Sequence, residues 1–214
     1  MKKRSFSYNE DREVLKNVSF SIPKGAKVAL IGANGSGKST IINMLLRFLE
    51  PKSGRIEIDN VDIKSMDLNN YRELFSVVSQ NPYLFNKTIK ENIDLGNSNN
   101  KEQLNFVYQK SGVGGYLENM PEGEDSIIGD NGARLSGGEK QKLAVARALM
   151  KDTPYVILDE ATSGFDVSSD AYLHDVIINE MKDKTVLLIT HRYENLENID
   201  IIYKIKDGEV VKLK

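Results

Sequence analysis

Short apolar runs and amphipathic stretches alternate along this chain. Residues 27–31, 155–158 and 185–190 are nearly continuous apolar runs of strand length, the pattern of strands covered on both faces. Residues 14–22 alternate in part and predict a strand ended by Pro23-Lys24-Gly25. Residues 40–49 place Ile41, Ile42, Leu45, Leu46 and Leu49 on one helical stripe, stopped by Pro51 and Gly54. Residues 55–63 alternate Ile56, Ile58, Val61 and Ile63 around an Asp59-Asn60 turn, which predicts an antiparallel excursion. Residues 75–79 form a further short strand that ends at Gln80. From 88 to 149 the pattern becomes helical, with Gly-rich breaks and no clear strand, so an inserted helical subdomain is predicted over about 88–150. Residues 168–181 read as a helix, and 201–205 and 209–213 flank Lys206-Asp207-Gly208 as a hairpin. Strands alternating with helices predict an α/β domain over 1–214 with a mostly parallel sheet.

Composition narrows this picture by exclusion. The chain has 214 residues, enough for one such domain with a real core. Its formal net charge is −2, so no nucleic-acid footprint is expected. It has no cysteine, which rules out disulfides and thiolate metal sites. No apolar run approaches the ~18 residues of a membrane helix. Met1-Lys2-Lys3-Arg4 is basic, but no apolar stretch of a secretory signal follows it.

The candidate chemistry starts at Gly32-Ala33-Asn34-Gly35-Ser36-Gly37-Lys38-Ser39-Thr40, which fits the phosphate-cradling P-loop between an apolar strand and an amphipathic helix. Its glycines let the backbone approach phosphates, and the helix that follows adds its positive end. Lys38 is expected to reach the outer phosphates of a nucleotide and the Ser39 hydroxyl to coordinate Mg²⁺. The expected fold is therefore a P-loop NTPase core with an antiparallel β part near the N-terminus. Asp159-Glu160 closes the strand at 155–158, where P-loop enzymes keep an acid that supports Mg²⁺. About a hundred residues after the P-loop comes Leu135-Ser136-Gly137-Gly138-Glu139, a capped helix start open to an approaching anion.

The P-loop, this L-S-G-G block and a following apolar strand that ends in Asp-Glu together resemble the ATP-binding cassette (ABC) family. The resemblance covers nearly the whole chain and implies ATP as the nucleotide. It assigns Asp159 to Mg²⁺ and makes Glu160 the residue that orients and deprotonates the attacking water. Gln80 resembles the family's glutamine that joins the Mg²⁺ shell. His191 resembles the histidine that bonds the outermost phosphate. Tyr8 corresponds to the aromatic that stacks on adenine. Phe6 shares its face, and the turn-rich stretch after Phe6-Ser7-Tyr8 favours Tyr8. Ser136, Gly137 and Gly138 would serve the ATP of a second cassette, so two ABC ATPase domains pack head to tail. Asp166 matches a further family position, although Gly164-Phe165 departs from the pattern there. Glu139 stands where the family most often has Gln, and its side chain is expected to point away or to pair with Lys140 or Lys142. His174 is read as ordinary helix surface or packing.

Two segments resemble exporters that carry membrane and ATPase parts in one chain. They are residues 81–93, with Leu84-Phe85-Asn86-Lys87-Thr88-Ile89, and Ile127-Ile128-Gly129-Asp130-Asn131-Gly132. The resemblance implies transmembrane domains as partners and a place on the cytoplasmic side of the cell membrane. Seven residues precede Tyr8, and the chain stops just after its last hairpin, so a domain of a longer transporter is expected. The alternatives are a separate ATPase subunit of an importer or multi-chain exporter, a non-transport ABC ATPase, and an inactive cassette. The first is weighed by residues 81–93. The second lacks its expected long coiled-coil insertion, and intact Lys38, Asp159, Glu160 and His191 oppose the third.

Overall fold

The structure is a computed structural model and describes residues 6–9, 12–95, 100–161, 175–177, 179–191 and 196–214. It has the expected α/β architecture. A six-stranded sheet runs in the order β10-β9-β3-β8-β7-β6, where β3 is Lys27–Gly32, β6 Phe75–Val78, β7 Tyr155–Asp159, β8 Thr185–Thr190, β9 Ile201–Lys206 and β10 Glu209–Lys212. All neighbours pair in parallel except β9 and β10. Asp207 and Gly208 take positive φ in the turn between those two, as a tight hairpin requires.

Both faces of the sheet are covered. Along β3, Val28 and Leu30 enter one apolar core and Ala29 and Ile31 another. Along β8, Leu187 and Ile189 join the first, and Val186 and Leu188 the second. Strands covered on both faces need the near-continuous apolar runs seen in the sequence. The ammonium of Lys27, at the start of β3, is enclosed. It donates to the carbonyls of Gly25 (2.9 Å), Lys182 (2.7 Å) and Lys184 (2.7 Å), which ties the turn before β3 to the loop before β8.

Two small antiparallel pairs lie before the helical part: β1 (Phe6–Asn9) with β2 (Arg12–Leu15), and β4 (Glu57–Ile58) with β5 (Val61–Asp62). The Asp59-Asn60 turn between β4 and β5 is as expected, with positive φ at both residues. The strand expected over 14–22 is corrected: β2 ends at Leu15, and Asn17 turns the chain at φ 49°. The alternation persists as burial without a strand, because Val18 and Phe20 enter the core while Ser19 and Ser21 stay exposed. Side-chain contacts hold this segment. The rings of Phe20 and Tyr203 lie 5.3 Å apart, and the Tyr203 hydroxyl donates to the Ser21 carbonyl at 2.9 Å.

The first helix, α1 (Lys38–Leu45), starts two residues earlier and stops four earlier than the apolar stripe predicts. Gly37 opens it at φ 106°, and Arg47 turns left-handed at φ 57° beyond its end. A short helix α2 (Leu68–Glu73) escaped the sequence reading, since six residues carry too little periodicity. Asp67 caps it by accepting from the Asn69 and Asn70 amides at 3.0 Å. Arg72 of α2 donates to the Leu46 and Arg47 carbonyls (3.0 and 3.1 Å), which satisfies the end of α1.

Helices α3 (Ile89–Asp94), α4 (Lys101–Lys110), α5 (Gly114–Leu117) and α6 (Gly137–Lys151) share a third apolar core that contains Leu84, Ile93, Val107, Ile128 and Leu143. No described helix is long and apolar enough to cross a membrane. The predicted helix at 168–181 lies mostly outside the described residues; of those described there, 175–177 and 179 are helical.

Candidate nucleotide site

Parallel pairing brings four strand ends to one edge of the sheet. Ile31 of β3 pairs with Thr190 of β8, Ile189 of β8 with Asp159 of β7, and Leu158 of β7 with Val78 of β6. The P-loop, His191, Asp159-Glu160 and Gln80 leave from those ends. Sequence spacing alone leaves them far apart along the chain, and the register makes them neighbours.

The loop is shaped by close approach. A Cβ on Gly32 would come within 2.7 Å of Ser36 Oγ and 2.9 Å of the Ile205 carbonyl. A Cβ on Gly37 would meet Leu15 at 2.6 Å in a conformation that already favours glycine. Gly35 also has positive φ, but open space around it. Asn34 and Ser39 are exposed, while Thr40 is buried under the loop. The Lys38 ammonium is enclosed, donates to the carbonyls of Gly32 (2.8 Å) and Ala33 (3.0 Å), and stands 3.9 Å from Glu160 Oε1.

Glu160 sits at φ 48°, left-handed for a residue with a side chain, and its amide donates to the Ile189 carbonyl at 2.9 Å. That bend turns its carboxylate toward Lys38 on one side and His191 on the other. His191 Nδ1 lies 3.7 Å from Glu160 Oε1. Burial pushes the Asp159 carboxyl above the usual carboxylate range, the Glu160 charge adds to this, and Lys38 opposes it. A phosphate-binding role fits this set. Ser36 Oγ is enclosed without a partner, a donor with nothing to meet but an acceptor brought into the loop. Two adjacent carboxylates, one of them disfavoured as an anion, suit a hard cation that takes few protein ligands.

Gln80 is exposed, beyond the end of β6, and its carbonyl accepts from Gln141 Nε2. Ser136 caps α6 as expected. It is not drawn into the P-loop cluster: its bonds run to Glu139 and Lys140 of its own helix. Of the two expectations for Glu139, the pairing with a lysine is corrected. Its carboxylate folds back to accept from the Ser136 amide and hydroxyl, both at 2.7 Å, rather than pairing with Lys140 or Lys142. A capping box places it there, because residue N3 reaches the N-cap amide. Gly137 has open space around it and, like Ser136, is exposed; Gly138 is half-buried. Tyr8 falls on β1, with its side chain outside the description, and Asp166 and His174 lie outside the described residues. Sequence reasoning missed the buried Gln141 and the half-buried Arg147, since polar residues on an amphipathic helix give no sign of what packs over them.

A parallel sheet whose central strand feeds a phosphate loop, with acids on a neighbouring strand end, defines a P-loop nucleotide hydrolase. Within that class the chain belongs to the ABC transporter family, whose model matches residues 15–163, and it is the ATPase part. It is 43% identical over 211 residues to the ATP-dependent lipid A-core flippase of Vibrio vulnificus (strain YJ016), covering 97% of this chain and 36% of that protein. The flippase of the same description from Haemophilus influenzae (strain 86-028NP) is 43% identical over 209 residues, with 96% and 36% covered. Among solved structures, a bacterial Atm1-family ABC exporter with ATP bound superposes with a TM-score of 0.93 at 33% identity, over 98% of this chain and 37% of that one. The chain thus spans about a third of the length of these relatives.

Proposed function

We propose that this chain is the ATP-hydrolysing domain of an ABC exporter, working as one of two cassettes beneath membrane domains on the cytoplasmic side of the cell membrane. The convergence of Lys38, Asp159, Glu160 and His191 at one sheet edge carries the reading. The P-loop amides and Lys38 hold the phosphates of ATP, with Gly32, Asn34, Gly35, Ser36, Gly37, Ser39 and Thr40 shaping the cradle. Tyr8 stacks on the adenine. Ser39, Asp159 and Gln80 hold Mg²⁺, which when bound spreads the charge of the phosphoryl oxygens. Glu160 takes the proton of the attacking water. Its strength lies in placement, since a carboxylate is a weak base. His191 bonds the outermost phosphate and is positioned by Glu160. Ser136, Gly137 and Gly138 present a helix N-terminus to the ATP of the partner cassette.

The similarity to a flippase and to an exporter supports export over an importer subunit, and the two segments that resemble exporters are neighbours in space. Thr88 bridges to Ile127, the Ile128 amide donates to the Lys87 carbonyl (3.2 Å), and the Leu84 amide donates to Asn131 (3.2 Å). Tyr83 (66% exposed), Phe85 (43%) and Ile127 (50%) leave an apolar surface beside them, suited to a membrane-domain partner. We place the helical insertion at about 88–150 in one domain, 1–214.

Two variants test the reading. Lys38→Ala should lower ATP turnover by about 10²-fold or more, as loss of a transition-state charge does. Normal turnover by that variant would sink the assignment. Glu160→Gln should bind ATP without turning it over and should shift from monomer to dimer in light scattering when Mg-ATP is added. A monomer with ATP demonstrably bound would count against a sandwich formed by this chain alone.

A further inference from the structure

The start of α6 holds a carboxylate where the proposed function needs a free donor. One oxygen of Glu139, Oε2, accepts from both the Ser136 amide and the Ser136 hydroxyl at 2.7 Å. The Ser136 hydroxyl oxygen accepts in turn from the Glu139 amide at 3.3 Å. A hydroxyl has one proton to give, so while it points at Glu139 it has none for a phosphate oxygen. The carboxylate also brings a negative charge to the place that a triphosphate would approach, and like charges at short range repel. A capping box does not require that charge, because Gln at the same position closes it as well. Ser136 is exposed and Glu139 half-buried, so an arriving anion meets the serine first.

A second group stands ready for the displaced carboxylate. Tyr116 of α5 belongs to the helical core and is 7% exposed, yet its hydroxyl is enclosed with no partner. An enclosed donor without an acceptor is unfavourable and uncommon in folded proteins. Packing does not explain it, since a phenylalanine ring would fill the same space. Burial pushes the Tyr116 phenol up, and the Glu139 charge pushes it further. The hydroxyl therefore keeps its proton, within electrostatic reach of the carboxylate that Ser136 holds.

We propose that Glu139 is a displaceable latch on Ser136, which it releases to the outermost phosphate of the partner cassette's ATP as its own carboxylate passes to the Tyr116 hydroxyl. This rests on the function proposed above, in which Ser136 meets that ATP. Each of the two cassettes carries a latch, so closing the sandwich requires two releases and the penalty enters twice.

The test is the dimer dissociation constant under saturating Mg-ATP, measured by light scattering in chains that all carry Glu160→Gln. Adding Glu139→Gln keeps the capping box, removes the charge and should tighten the dimer about tenfold or more. Adding Tyr116→Phe deletes only an unpartnered hydroxyl and should weaken the dimer about threefold or more, because the displaced carboxylate loses its donor. With Glu139→Gln already present, Tyr116→Phe should shift the constant by less than about twofold. That dependence separates a latch from a merely structural cap, whose loss would lower the Tm and leave the two residues uncoupled. Equal constants with and without Glu139→Gln overturn the latch and leave the two-cassette sandwich standing. Fully additive effects of the two changes overturn the transfer to Tyr116. A dimer that forms only when Glu139→Gln is present supports the latch in its strongest form. ATP-bound monomers in every variant sink the sandwich, and the latch with it.

Discussion

Glu160 and Asp159 are consecutive yet differ in kind. Glu160 occupies a left-handed backbone position that costs free energy in any residue with a side chain, and strain of this sort persists where the surroundings over-determine it. Asp159 is disfavoured as an anion by burial and by the Glu160 charge. Its sign in stability follows from linkage. A carboxyl whose folded pKa is raised stabilises the fold fully below its unfolded pKa, and that contribution is lost as pH rises through the folded pKa. The nucleotide-free protein should therefore lose stability with pH across the window from about 4 up to the raised Asp159 pKa. Asp159→Asn should flatten that slope and raise the Tm at pH 7, while Mg²⁺-dependent turnover collapses. A thermal melt series across pH checks it, and an Asn variant less stable than the parent at pH 7 would contradict the argument. The identities of both acids could be read in the sequence from their place after an apolar run. The bend at Glu160 and the crowding at Asp159 could not, since both come from pairing with strands distant in the chain, as Asp159 with Ile189 and Leu158 with Val78.

Helix α6 joins two roles in one element. Its start is a capping box between Ser136 and Glu139, and its middle is the wall of the helical core, with Leu143 fully buried. Removing the cap and removing the core contact should therefore differ. Ser136→Ala should cost about 1 kcal/mol, the usual worth of an N-cap. Leu143→Ala should cost about 2–5 kcal/mol, because it removes buried methyl groups and leaves a cavity. Denaturant titration of both variants separates them, and equal losses would mean that α6 is not held mainly by its apolar face. This helix was legible from its pattern and its Ser-Gly-Gly start. Helix α2 was not, because its single deeply buried side chain, Tyr71, matters through packing against α1.

On the scale of the whole molecule, the exposed aromatics after β6 separate folding from partnership. Tyr83 accepts from Arg147 through its carbonyl, but its ring is mostly in solvent. Tyr83→Ala should leave stability within about 0.5 kcal/mol, as surface substitutions do. In the protein joined to its proposed membrane domains, the same change should weaken the coupling of ATP turnover to transport. Denaturation midpoints and substrate-stimulated turnover read the two effects, and a large loss of stability would mark the ring as structural.

By itself the sequence determined the class of fold, the phosphate loop and the identity of the acids, because those depend on local patterns. Continuous apolar runs read as buried strands, and a Gly-rich loop between strand and helix reads as a phosphate cradle. Tertiary structure decided which strand ends meet, since parallel pairing sets their order and register without any local sign. It also turned the alternating stretch at 18–22 into core without a ladder and folded Glu139 back onto Ser136. The burial of Gln141 belongs to the same group, because burial of a polar side chain depends on what packs over it.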